Sequence, residues 1–167
     1  MGSAESDFLA AGVRLFPDAH AAVEQFRRLL RDRVDAVLRA FETDAWTVPA
    51  GAEFKSSKGG TDGLWCGAYG RVQLSRPQLA NAVLDVGLWW NSSSIRAHPT
   101  VFCAYFDDGP SDLLRKLRVV DGNGVEELRV GATTHAIAPP SANGNLDDDL
   151  RRVIAALASA VRACPTT

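Results

Sequence analysis

Cysteine is scarce in this chain, with only Cys66, Cys103 and Cys164, all far apart. An odd, scattered set excludes a disulfide-stapled scaffold, and no Cys-x-x-Cys unit is available to hold zinc. Cys66 and Cys103 lie in apolar, strand-like runs, where cysteine acts as a small buried hydrophobe. That usage suits a reducing, cytoplasmic compartment. Charge of one sign is also lacking. The formal net charge is -2, with acids and bases spread through the chain, so no basic block offers a nucleic-acid footprint. No stretch approaches the ~18 consecutive apolar residues of a membrane span. The N-terminus has neither the basic region nor the apolar core of a secretory signal. Its Met-Gly-x-x-x-Ser match to the myristoylation pattern is short enough to arise by chance.

Chemistry-bearing motifs are equally sparse. His20, His98 and His135 form no His-x-x-x-His pair, so no metal site and no cofactor are expected. No Gly-x-Ser-x-Gly elbow is present, and the Gly/Ser-rich stretch 53–63 lacks the Gly-Lys-Ser/Thr ending of a phosphate loop. Asp107-Asp108-Gly109 and Asp147-Asp148-Asp149 lack the alternating oxygen ligands of a calcium loop.

What is present reads as one α+β domain over residues 1–167, with 1–6 and 165–167 as loose ends. The hydrophobic fraction of 46% and charged fraction of 23% are those of a chain that buries a core without staples. Val23, Phe26, Leu30, Val34, Val37, Leu38 and Phe41 recur at intervals of three and four and predict an amphipathic helix over 18–41. Pro17-Asp18 suits its start. A shorter helix over 7–15 precedes it, weakened by Gly12. Strands are expected at 64–74, 82–90 and 101–106, joined by links too short for parallel crossovers. Ser111 suits the cap of a short helix through Leu117. Residues 125–130 and 133–137 read as two strands or one bulged strand. Asn145 and the three aspartates after it mark the start of a last helix, which ends near Cys164.

The expected order is α-β-β-β-α-β-β-α, an antiparallel sheet of about four or five strands packed by the N-terminal and C-terminal amphipathic helices. This element order resembles that of the small dimeric chaperones of type III secretion, a likeness of order without a shared motif. It implies a non-catalytic role and a protein partner.

Two readings of function follow. Trp65, Tyr69, Trp89, Trp90, Tyr105 and Phe106 crowd three neighbouring strands, beside polar residues such as Arg71, Asp85 and Asn91. Period-two alternation puts Trp65 and Tyr69 on one face and sends Trp89 and Trp90 to opposite faces. With Asn91, Arg96 and His98 they suit a binding surface for a protein partner or a homodimer, of chaperone, immunity or adaptor type. The alternative is a small metal-dependent nuclease or hydrolase, in which Glu53 and Lys55 form part of a Glu-x-Lys site with Asp44 as second carboxylate. The same stretch also reads as a plain Gly/Ser-rich hairpin tip. The binding reading is preferred, because no catalytic set is complete.

Overall fold

The computed structural model describes residues 3–59, 63–76, 79, 82–91, 100–106, 126–130, 133–138 and 145–164, with side-chain surroundings for 4–55, 67–76, 79, 82–88, 145 and 147–164. The first helix, α1 (Ser3–Arg39), is a single 37-residue rod that runs through Pro17. Two helices meeting near Pro17 were expected. A proline inside a helix removes one hydrogen bond, here to the Val13 carbonyl. Residues 12–20 are exposed all round, so water can take up the freed carbonyl and the helix continues. Gly12 is accommodated in the same exposed stretch, and residues 3–6, expected as a loose end, belong to the first turns.

Past Arg39 the chain unwinds through Phe41 and Glu42, whose amides donate to the Leu38 and Arg39 carbonyls. It then enters the sheet. β1 (Trp46–Thr47) and β2 (Glu53–Gly59) both pair antiparallel with the long strand β3 (Gly63–Leu74), β1 at its end and β2 at its start. Together they form one broken edge. β4 (Val83–Asn91) pairs with β3 and β5 (Thr100–Phe106) with β4, both antiparallel and in unbroken register. β7 (Thr133–Ala138) lies against β5, and β6 (Glu126–Val130) closes the far edge. The seven described strands form one sheet in the order β1-β3-β4-β5-β7-β6, with β2 beside β3. The antiparallel meander is as expected. The stretch 53–59 is a strand and not a loop, because pairing with β3 satisfies its backbone although its side chains are mostly polar. The short helix expected at 111–117 lies outside the described residues.

The last helix, α2 (Leu146–Ala163), starts where its cap predicts: the Asn145 side chain accepts from the amides of Asp147 and Asp148 at 3.1 and 3.4 Å. It buries Leu150, Val153, Ile154, Leu157 and Val161. These pack with Leu30, Val34, Val37 and Leu38 of α1 on the sheet face formed by Ala68, Val72, Leu74, Leu84, Val86 and Leu88. Leu38 fixes the closest approach, since a Cβ at Gly70 would collide with its Cδ1. Asp35 accepts from the Ala52 amide at 3.0 Å and Glu42 from the Val48 amide at 2.9 Å, so side chains of α1 and of the turn after it hold the link between β1 and β2. Arg33 reaches Asp147 at 2.7 Å and ties the helices together.

Only the last third of α1 belongs to this core. Phe26, expected in the core, is 51% exposed, and Val23 of the same stripe is 46% exposed. Unfolding in urea should place the boundary between Val23 and Leu30. Leu38→Ala and Leu157→Ala should each lose about 2–5 kcal/mol, as buried leucine truncations do. Val23→Ala should stay within about 0.5 kcal/mol, the range of surface changes.

Candidate functional site

Strand alternation divides β3 cleanly. Ala68, Gly70, Val72 and Leu74 face the helices, while Tyr69, Arg71 and Gln73 face away. On β4 the partners of this outer row are Val83, Asp85 and Gly87, and on β2 the partner of Tyr69 is Glu53. A cross-strand cluster results, which no local motif announces.

Its geometry is closed. The Lys55 ammonium lies 2.9 Å from Glu53 Oε2 and 5.4 Å from the centre of the Tyr69 ring. The Tyr69 hydroxyl and the Glu53 carboxylate hold Lys55 above its ordinary pKa, and Lys55 in turn holds Glu53 below the usual carboxylate value. One row further, Arg71 Nε donates to Asp85 Oδ1 at 3.2 Å. The Asp85 side chain is only 3% exposed, against 52% for Arg71. Burial pushes the Asp85 carboxyl up, outweighing the opposing pull of Arg71, whose own pKa is raised by the pair. Gly87 is required beside Tyr69: a Cβ there would run into the Ala68 carbonyl oxygen and the Tyr69 backbone. Tyr69 itself is 8% exposed.

Of the residues expected at a binding surface, the backbone brings Trp65, Tyr69 and Trp89 to the outer face, with Trp65 opposite Asn91 and Trp89 opposite Gly67. Trp90 stands opposite Cys66, in the row that continues Leu84, Val86 and Leu88 on the helix side. Tyr69 is covered and not open. The side-chain surroundings of Trp65, Trp89, Trp90 and Asn91, and the whole of Arg96 and His98, lie outside the described residues.

For the Glu-x-Lys alternative, Glu53 and Lys55 do share one face, but they neutralise each other. Asp44 precedes β1, which pairs at Leu74, whereas Glu53 pairs at Tyr69. Five residues along a strand is about 16 Å, so the proposed second carboxylate sits at the other end of the edge. Among the described residues no three of His, Cys, Asp and Glu come together as a metal would require. Cys164 is a free thiol that donates to the Ala160 carbonyl at 3.5 Å.

Among the described residues the most open apolar surface lies elsewhere, on the first two-thirds of α1. Phe8, Leu9, Val13, Leu15, Phe16, Val23, Phe26 and Leu29 are all 46–77% exposed. A length argument predicts such an overhang. A 37-residue helix is about 55 Å long, whereas a domain of this size has a radius of gyration of about 15 Å. A stripe that runs the whole helix therefore outruns the body that covers it. Comparison with protein-family models, curated proteins and solved structures finds no match to the chain.

The outer cluster makes a pH prediction. A carboxyl whose folded pKa is raised favours the folded state when protonated, so its stabilising effect is lost as pH rises through that pKa. The stability of the native chain minus that of Asp85→Asn should therefore fall as pH is raised from below the ordinary aspartate range towards neutrality. Urea unfolding at a series of pH values reads this directly. A difference that grows with pH would mean that Arg71, and not burial, governs Asp85.

Proposed function

We propose that the chain is a non-catalytic cytoplasmic protein-binding domain, of chaperone, immunity or adaptor type, which docks through the exposed N-terminal arm of α1. One observation carries the reading: eight large apolar side chains stand exposed on one helix, led by Phe8 at 77% and Val13 at 76%. Contiguous apolar surface of this extent is costly to leave in water and marks interaction sites. Amphipathic helices that lay an apolar stripe into a partner's groove are a recurrent mode of recognition. The free thiol of Cys164 and the sparse cysteines support the compartment.

The sheet's outer face supports the choice of surface by contrast. Its described charges are paired and its described tyrosine is covered, so the described part of this face offers a partner less apolar area than the arm does.

The reading predicts a position-dependent cross-link. A photoreactive residue in place of Val13, in the full chain inside cells, should give discrete protein adducts, while one in place of Gln25 on the polar side should not. Equal adduct formation at both positions, or none at Val13, would reject the arm as a docking element. Leu9→Asp with Phe16→Asp should abolish the adducts and leave body stability within about 0.5 kcal/mol, because neither side chain belongs to the core.

A further inference from the structure

The apolar side of α1 has a seven-residue period that extends past the body. Leu9, Phe16, Val23, Leu30 and Val37 recur every seven residues, with Gly12, Ala19 and Phe26 between the first four. In the lower half this stripe is buried on the chain's own sheet through Leu30, Val34 and Val37. In the upper half the same stripe meets solvent. A strict seven-residue repeat is the seam of a coiled coil, in which each side chain fits between those of a facing helix.

We infer that the arm's partner is a second copy of this chain, paired through an antiparallel two-helix seam over residues 8–29. The inference rests on the docking reading above and names its occupant. Four features select it. The first is layer matching. With Leu9 set against Phe26 of the second copy, Phe16 falls against Ala19 and Val23 against Gly12, and the flanking positions bring Phe8 to Leu29 and Leu15 to Ala22. Large residues thus meet small ones in two successive layers and the helices approach closely. In a parallel pair, Phe16 would face Phe16 and Gly12 would face Gly12, which leaves a clash beside a void.

Gly12 supplies the second feature. A Cβ at this position would meet nothing within 4 Å in the chain itself. Its own fold therefore does not require the smallness of this residue, although glycine weakens a helix. A close-packed second helix at Val23 does require it.

Charge supplies the third. The start of the arm carries Glu5 and Asp7, and its end carries Arg27, Arg28 and Arg31, of which Arg27 and Arg31 also pair within the helix with Glu24 and Asp32 at 2.8 and 2.9 Å. Antiparallel pairing brings the acidic end of each copy to the basic end of the other and sets the helix dipoles head to tail. Residues 3–31 hold Glu5, Asp7, Asp18 and Glu24 against Arg14, Arg27, Arg28 and Arg31, so the arm has no net basic charge, whereas helices that lie on an anionic bilayer carry basic polar faces.

Area is the fourth. The eight exposed side chains present on the order of 800 Å² per copy, so two copies that covered all of it would bury about 1,600 Å², the size of a standard stable interface. The overlap ends at Leu29, next to Leu30, where each chain's own sheet takes over the stripe.

Sedimentation velocity on the full chain through the micromolar range should show a dimer. Leu9→Asp with Phe16→Asp should weaken it by at least about tenfold with the body still folded by circular dichroism. Orientation is read separately. A short bismaleimide should link two copies of the Val13→Cys, His20→Cys double variant, because Val13 of one copy flanks His20 of the other. Neither single variant should link above the background of the native cysteines. Strong linking in a single variant would mean a parallel pair and overturn the seam. A chain that stays monomeric throughout would overturn self-pairing; Val13 adducts to a different protein would then leave the docking reading standing, whereas their absence would end both. Recruitment of the monomer to vesicles of phosphatidylcholine and phosphatidylglycerol, abolished by the arm substitutions, would replace the second copy with a bilayer.

Discussion

Leu38 resting on the bare backbone of Gly70 sets the distance between helix and sheet, and much of the remaining structure follows from that distance. It lets the end of α1 and the turn after it lie close enough for Asp35 and Glu42 to reach the amides of Ala52 and Val48 across the break between β1 and β2. Those bonds hold two short strands in line along β3, where an edge of only two residues would gain little from its own ladder. The same approach leaves room for α2 alongside, and Arg33 then meets Asp147 in the first turn of α2, where negative charge already favours the helix N-terminus. A larger residue at position 70 would press on the tip of the Leu38 side chain, which must turn aside to admit even a Cβ.

The two faces of the sheet solve different problems. The helix side excludes water with aliphatic side chains. The outer side, in its described part, keeps charge but pairs it across strands: Lys55 with Glu53 and Tyr69, Arg71 with Asp85. Exposed ion pairs contribute little to stability, and a buried carboxylate costs solvation that its partner only partly returns. The raised Asp85 carboxyl records that imbalance. The cluster serves the sheet as a register device, because a one-residue slip would turn Asp85 into the aliphatic core.

Sequence periodicity reveals those parts of the fold whose signals are local. The α1 stripe, the Asn145 cap and the apolar strands β3, β4 and β5 are legible because spacing, cap chemistry and β-propensity act within a few residues. β2 is not, since Lys55-Ser56-Ser57-Lys58-Gly59 carries a loop composition and becomes a strand only by pairing with β3. Pro17 misleads for a related reason: its effect depends on whether the freed carbonyl is wet, which is a property of the surroundings. The site was legible in composition but not in arrangement. Register places Trp65 and Tyr69 four residues apart on β3, yet the cation set against the Tyr69 ring is Lys55, which no local motif links to it. The arm was missed because periodicity reports which side of a helix is apolar and is silent on how far the opposing sheet reaches.

The broken edge has one further consequence, for how this sheet behaves in a crowded solution. An uninterrupted edge strand offers a ladder of unpaired amides and carbonyls to any other chain, and fibrils grow from such templates. Here the outer rail is cut between Thr47 and Glu53 by a segment containing Pro49 and Gly51, and the surviving rung, β2, carries Lys55 and Lys58. The opposite rail, β6, is five residues long and includes Glu126, Glu127 and Arg129. An incoming strand therefore finds either too few consecutive rungs or a charge at every attempt to extend. The chain can present greasy surface on a helix, whose backbone bonds along its own axis except at the carbonyl that Pro17 frees, without offering a long strand edge beside it.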